Sequence, residues 1–522
     1  MSKELHPTNI AGKLTKEFIH NPITPFFIGL ILVLGVMALL VTPREENPQI
    51  VVSGSAVIVA MPGVDAKKIK KIIVEPLEGK IKEIKGVENI IGIAKDNVGI
   101  VNISYYMGTD KQSADLKVYD MVMQNMDSLP KGAMMPLVKP LDIDNDLPIV
   151  TVALYPLNKN IKKSATYNKA RELQRLIGSV DNVSKVTIKG GAKEQYNILV
   201  DLNKLSGFHI SLAQISASLE SLTTNIPEVY NTTKNEKDRI VVGIQNGVKT
   251  KKDIENLIIA NYNNSPIYLR NVARVERGID IQNKKSADIK FRNSSGKFTD
   301  VLPQTTLEIS KVGGTNAVFV SNDIKKLLTL YKDSLTKQGI GYKITRDDGD
   351  RANDSVNELV FHIFLATLFI TILMWVVLGW KESLIVTITV PLVVALSLVI
   401  IYVYGMTLNR VTMFGFLLTM GLLVDAGIIV IENIHRHMHA HEKEMEYVCI
   451  SAVNEIGVPT NIATVAIIFT SLPALIVGKM MGQFIAPIPI MMAIILLMSL
   501  IIGYTVVPYL ANKYMKKQDK NL

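Results

Sequence analysis

Six stretches of this chain are almost continuously apolar, and between the first and the second lies a long region in which apolar residues recur only at short intervals. The apolar blocks run from about Thr24 to Val41, Val356 to Trp380, Leu384 to Tyr404, Val411 to Ile434, Thr460 to Val477 and Phe484 to Tyr509. Each is long enough for a helix to cross a bilayer, which takes roughly 20 residues. The pattern predicts an α+β membrane protein with six transmembrane helices and a large insert between helices 1 and 2. Helix 1 is expected over 24–41, the water-exposed insert over 44–353 and helices 2 to 6 over 356–511, with tails at 1–23 and 512–522. The first block reads as an uncleaved anchor, because Thr42-Pro43-Arg44-Glu45-Glu46 follows it rather than a small-residue cleavage site.

Shorter periods organise the insert. A strand is expected around Ile50 to Met61, then a helix within PGVDAKKIKKIIVEPLEGKIKEI and the connector Gly86-Val87-Glu88-Asn89-Ile90 entering a second strand. Val98 to Met107 reads as a third strand and Leu116 to Leu129 as a helix. A second unit starts with the alternating strand Ile149 to Tyr155, followed by the helix SATYNKARELQRLIGSV, the connector Ser179-Val180-Asp181-Asn182-Val183 and the strand VSKVTIKGG. Two split strand-helix-strand units of ferredoxin-like type account for this economically. The alternative is unrelated α+β elements that share a common helix-to-strand turn.

Overall, 48% of residues are hydrophobic and 20% charged, so apolar residues are segregated into blocks. The net charge of +10 invites a nucleic-acid reading, but much of it lies in the flanks of the spans and in Lys-rich helices of the insert. Lys3, Lys13, Lys16, Lys381, Arg436, Lys443, Lys513, Lys516, Lys517 and Lys520 all fall on one side of a six-span topology, with Arg410 and Lys479 as exceptions. The excess of Lys and Arg on that side predicts cytoplasmic termini and an external insert. The single Cys449 follows the fourth span, so the insert must fold without disulfides.

The fourth block, GFLLTMGLLVDAGIIVIENI, holds a carboxylate in its middle. A charge near the bilayer centre costs at least a few kcal/mol, so Asp425 is expected to face protein or water and to have a function. The plainer reading is a carboxylate hydrogen-bonded in a bundle interior. Gly421 and Gly427 nearby would allow close helix approach or water access. Glu432, two turns on, is a candidate second proton group or an interfacial carboxylate satisfied by water. In HRHMHAHE, the pairs His435 with His439 and His437 with His441 have metal-ligand spacing, yet no carboxylate triad accompanies them, and a solvated juxtamembrane helix is favoured. Met134-Met135, Met480-Met481 and Met491-Met492 read as gap-filling core rather than as a soft-metal path. Neither a phosphate-cradling glycine loop nor a hydrolytic triad is recognisable, so no enzyme activity, metal or cofactor is expected, and a transmembrane ion gradient is the natural energy source.

GLLVDAGIIVIEN, PREENPQI after the first helix, MPGVDAKKIKKIIVEPLE with its GVENI connector, and SPIYLRNVARVERG together resemble the resistance-nodulation-cell division (RND) efflux transporters. The likeness covers nearly the whole chain in order and is greatest to the proton-driven, acriflavine-resistance type multidrug branch. It implies a multi-pass bacterial inner-membrane protein with a periplasmic porter region of ferredoxin-like subdomains. Near 202–274 it implies a docking insertion for a periplasmic adaptor and an outer-membrane channel. Asp425 matches the first of two adjacent aspartates usual in that branch, whereas Ala426 stands where the second would be. The resemblance gives Asp425 the role of proton relay, driven by the proton motive force without any cofactor. Family members are also about twice as long, so this chain reads as an N-terminal half that needs a second half or a homo-oligomer, in a family that assembles as trimers. The expected function is export of hydrophobic or amphiphilic small molecules. A metal-ion exporter, a protein-export accessory subunit and a truncated, non-transporting remnant are the alternatives.

Since no stretch between Arg44 and Asn353 is long and apolar enough to span, reporter fusions near Lys251 and Asp348 should read as external and one after Met515 as cytoplasmic. A cytoplasmic signal at Lys251 would overturn this topology.

Overall fold

The structure, a computed structural model, describes residues 7–50, 54–106, 108–141, 143–158, 161–223, 229–232, 239–242, 250–262, 265–280, 286–292, 295–440 and 444–515. Of the residues singled out above, Lys3, Met107, Lys443, Lys516, Lys517, Lys520 and His441 lie outside these ranges, as do parts of the 202–274 segment.

The first outer body is built from β1 (Gly54–Ala60), a helix α3 in three segments, β2 (Val87–Lys95), β3 (Val98–Tyr105), α4 (Lys111–Gln124) and β4 (Leu137–Leu141). The segments of α3 are Ala66–Ile69, a π-helical turn Lys70–Val74 and Glu75–Ile81. The sheet order is β2-β3-β1-β4, and Val57 of β1 lies opposite Val101 of β3 and Val138 of β4, antiparallel to both. Strands β1 and β2 therefore run parallel with β3 inserted between them. Ile69, Ile73, Leu77 and Ile81 of α3 and Ala114, Val118 and Val122 of α4 bury their helical stripes against Val57, Val101 and Ile103. Helix α4 begins before the expected Leu116 because Asp110 caps it, accepting the Ser113 N–H at 2.9 Å.

The same connectivity recurs in a second body: β5 (Pro148–Pro156), α5 (Lys163–Ile177), β6 (Val183–Gly190), β9 (Leu302–Lys311), α6 (Ala317–Lys337) and β10 (Ile340–Asp347). Here β9 lies between β6 and β5, with Leu307 opposite Ile188 and Val152, and β10 flanks β5. Its core joins Val152, Leu154, Leu307 and Ile309 to Ala170, Leu173 and Ile177 on α5 and Ile324 and Leu328 on α6. The connectors correspond too, but in a register three residues from the one the sequence suggests. Gly86 at φ 96° and Asn182 at φ 62° each precede the first residue of a strand, Val87 and Val183. Gly and Asn are the residue types that most readily take this left-handed turn.

Between β6 and β9, β7 (Glu194–Val200) pairs antiparallel with β8 (Ala273–Ile279) as a two-stranded stem. The segment between them has its own small core around Leu205, Ile215, Ile254, Leu269 and Val272.

Among the described residues six stretches are long and apolar enough to cross a membrane: Ile23–Val41, Asp348–Val377, Trp380–Val403, Arg410–His439, Met445–Leu475 and Met480–Tyr514. Within them run α2 (Ile23–Val41), α7 (Asp348–Val377), α8 (Trp380–Val403), α9 (Arg410–Leu423), α10 (Asp425–Ala440), α11 (Met445–Ser471) and α12 (Pro487–Tyr514). Two helices extend well beyond their apolar blocks. Helix α7 continues directly from β10, capped by Asp347, and α11 starts in a polar stretch before Thr460. That stretch is held by α1 (Ile10–Ile19), a helix within the tail that hydropathy alone does not reveal. Asn9 caps α1 and donates from Nδ2 to the Asn454 carbonyl at 2.5 Å, while Thr15 donates to the Tyr504 carbonyl at 2.9 Å. Cys449 is fully buried in the bundle.

An extended strap after α2 ties the membrane bundle to the second outer body. The Leu408 N–H donates to Pro43, the Glu45 N–H donates to Leu408 at 3.0 Å, and the Arg410 N–H donates to Glu46 at 3.2 Å. On the other side the Ala317 N–H donates to the Arg44 carbonyl at 2.9 Å, and Arg44 itself donates to Asn353 on α7 at 2.8 Å. Lys311 Nζ meets Glu45 at 2.7 Å with both side chains under a tenth exposed. Nearby, burial alone would raise the Asp347 carboxyl. Hydrogen bonds from Lys325, Ser321 and the Asp350 N–H nevertheless hold it below its ordinary value of 3.8. With the folded value depressed, this cap stabilises fully above that pH and fails as acidification passes through the lower, folded value.

Removing one member of a buried ion pair strands the other charge, at a cost of about 3–5 kcal/mol. Lys311→Met should therefore lower the unfolding midpoint of the detergent-solubilised protein sharply, and adding Glu45→Leu should recover most of the loss. A single variant as stable as wild type would show that the pair is no clamp.

Candidate functional site

Asp425 lies midway along the fourth span, Arg410–His439. The sequence reads as one uninterrupted helix here, but the structure breaks the α-helical ladder at Val424, immediately before the aspartate. Ser499 on α12 supplies the cause, since its hydroxyl donates to the Leu423 carbonyl at 2.5 Å. In a regular helix that carbonyl would accept the Gly427 N–H, and a side chain inserted into the ladder interrupts it.

Packing after the break decides where Asp425 points. Ala426 is 6% exposed and lies against Gly503 of α12, where an added Cβ would stand 3.6 Å from the Ala426 Cβ. Gly427 is buried toward α8, its missing Cβ position 3.4 Å from Thr389 Oγ1. Successive helical side chains are about 100° apart, so with both of these turned inward Asp425 is left on the outer face. It is exposed there, and no described residue supplies it with a cation or a hydrogen-bond donor. Gly421, one turn earlier, and Glu432, two turns later, are exposed on the same face. Phe414, Leu417, Leu418 and Ile429 make up its apolar part. The two glycines thus differ: Gly427 allows close approach of α8, whereas nothing lies within 4 Å of a Cβ placed on Gly421.

The histidines at the far end of α10 do not converge on one point. His435 Nδ1 lies 3.0 Å from Glu382, and its ring stands edge-on to His439 at 4.6 Å. His437 Nε2 lies 2.5 Å from Glu455, which also takes Arg436 at 2.6 Å. Among the described residues no group of three or more His, Cys, Asp or Glu is arranged to hold a metal. The methionine pairs are scattered as well, Met134 and Met135 being exposed on the first outer body and Met491 buried in the bundle.

Ser499 and Gly503 are the residues that sequence reasoning missed. Their spacing is a small-xxx-small pattern within the apolar run of α12, the signature of close helix approach in membranes. The same contact explains why alanine suits position 426. Ala426→Asp, which restores the second aspartate of the usual family pattern, would place a carboxylate where 6% of the residue is exposed. That should cost several kcal/mol and lower the melting temperature in detergent markedly. A variant as stable as wild type would mean that the α10–α12 contact gives way easily.

The chain matches the model of the AcrB/AcrD/AcrF family over residues 14–521. Among curated proteins it is similar to the multidrug resistance protein MdtC of Photorhabdus laumondii subsp. laumondii, with 24% identity over 518 residues. That alignment takes in 96% of this chain and 47% of the relative, so the chain spans about half the length of the curated relative it matches. Six apolar spans, a mixed helix-and-strand outer region and a match over nearly the full length leave one conclusion: this multi-pass membrane protein belongs to the AcrB/AcrD/AcrF family of RND multidrug efflux transporters.

Proposed function

We propose that this chain is the N-terminal half of a proton-driven RND efflux pump in the bacterial inner membrane, exporting hydrophobic or amphiphilic compounds. The observation that carries the reading is the position of Asp425: midway along a span, on a face that the described residues leave uncovered. An ionisable residue at that depth needs protein, water or a counter-charge beside it. A second half, separately encoded or supplied by another copy, provides that cover and the cation. The two outer bodies of recurring connectivity are then porter subdomains of ferredoxin-like type facing the periplasm. The stemmed segment between β7 and β8 is the surface that docks an adaptor and an outer-membrane channel. The multidrug name of the relative favours organic compounds over metal ions as cargo.

In this mechanism a proton entering the Asp425 face neutralises the carboxylate and releases the partner's cation, which shifts the balance between two helix arrangements. The strap passes that shift outward, since Arg410, the first residue of α9, donates its backbone N–H to Glu46 and pairs with it through the side chain at 3.3 Å.

Asp425→Asn in the complete pump should abolish gradient-dependent export while leaving abundance and assembly nearly intact. Asn keeps the shape and the hydrogen bonding but cannot alternate in charge. Glu432→Gln should have a much smaller effect, and the chain expressed alone should insert without conferring export. The measurement is dye efflux from loaded cells with and without an uncoupler, beside a membrane-abundance control. Wild-type transport by Asp425→Asn would reject the relay.

A further inference from the structure

The stretches 286–292 and 295–304 face each other as a hairpin on the second outer body. Residues 287–289 pair antiparallel with 302–304 at the start of β9. Nearer the tip Arg292 bridges Phe298, and the Thr299 N–H donates to the Phe291 carbonyl at 2.8 Å. Side chains alternate along an extended chain, so Phe291 points to one side and Lys290 and Arg292 to the other. Phe291 is the staple that holds the hairpin to the sheet. Its ring centre lies 5.1 Å from that of Tyr155 on β5, and Lys343 Nζ of β10 is 5.2 Å from the same ring. Tyr155 stands opposite Gly341, where an added Cβ would come within 2.6 Å of the tyrosine ring, so the glycine makes room for this stack.

The outward side carries the charge. Lys290 Nζ and the Arg292 guanidinium lie 5.3 and 5.0 Å from the centre of the Phe298 ring, which is 59% exposed. Both cations are exposed, and neither has a carboxylate partner among the described residues. Asp288, the preceding alternate position, pairs with neither of them. Two like charges are thus gathered on one ring by the attraction of its face, although they repel each other. A guanidinium stacked in this way keeps the N–H donors of its edge free, in the fork that matches a carboxylate. Arginine beside an exposed aromatic ring is the composition of a protein interface. What this surface lacks is an acid.

We propose that this hairpin binds an extended acidic segment of a partner protein, with carboxylates at alternate positions set against Lys290 and Arg292 and the backbone between them passing over Phe298. The spacing selects the form of the partner. Lys290 and Arg292 are two residues apart on an extended chain, a repeat of roughly 6.6 Å, and the same repeat separates alternate side chains of a second extended chain. Acids at every third position would fall on opposite faces of such a segment and could not engage both cations. The fork of Arg292 also fits phosphate, which makes a phosphate polymer the competing ligand. The site owes nothing to Asp425. Its occupancy needs no ion gradient, so its failure and the failure of the transport reading are separate outcomes.

The test uses the full chain in zwitterionic nanodiscs and the fluorescence anisotropy of two labelled peptides of equal length and net charge. One carries glutamates at alternate positions among threonines, the other at every third position. The alternating peptide should bind more tightly. Lys290→Gln combined with Arg292→Gln should weaken it about tenfold, the loss expected of two exposed charge contacts. Arg292→Lys should forfeit part of that, because it keeps the charge and removes the fork. Lys326→Gln, which removes an exposed lysine paired with Asp323 on α6, should leave binding unchanged. A melting curve confirms the folding of each variant. Equal binding of the two peptides, or binding insensitive to the double substitution, would overturn the proposal. So would tighter binding of polyphosphate than of the alternating peptide, which would mark the hairpin as a site for phosphate polymers.

Discussion

One extended strap, Thr42 to Gln49, has to satisfy the demands of two solvents at once. It leaves a helix built for hydrocarbon and within a few residues enters a polar body, so its backbone groups must find partners on both sides. The partners come from distant parts of the sequence: the loop before α9 on the membrane side, and the ends of β9 and the start of α6 on the other. The Lys311–Glu45 pair closes this joint where neither charge reaches water freely. Together with α7, which continues directly from β10, it fixes the placement of the second outer body over the bundle.

The orientation of Asp425 follows from its small neighbours rather than from the aspartate. Ala426 and Gly427 fit against Gly503 and Thr389, and Ser499 takes a carbonyl out of the ladder just before them. Three close contacts inside the bundle thus turn the one mid-span carboxylate of this helix outward. A second half of the kind proposed above would cover the face that carries it.

Much of this was legible in the sequence, because the signals were long or strongly periodic. Block hydropathy anticipated six helices long and apolar enough to span, and alternation located β5 and β6 closely. The misses have physical causes. Helix α1 is short and lacks a long apolar run; its stability comes from Asn9, Thr15 and the facing Asn454, none of which stands out in a hydropathy pattern. The start of α4 was hidden because an aspartate cap outweighs the apolar period that follows it. The equivalence of the two connectors lies in backbone handedness at Gly86 and Asn182, which the matching valines and asparagines three residues out of register do not encode. Which way Asp425 faces was not legible, because it depends on contacts with α8 and α12 that no local pattern encodes.

The burial of Cys449 has a practical consequence. The only thiol in the chain is fully enclosed by the helix bundle, and reaction with a water-borne reagent requires access to the thiolate. The native protein therefore offers a silent background to maleimides, spin labels and fluorophores. A cysteine introduced on the strap or on either outer body would be the single reactive position, with no need to remove the natural one and disturb the packing around it.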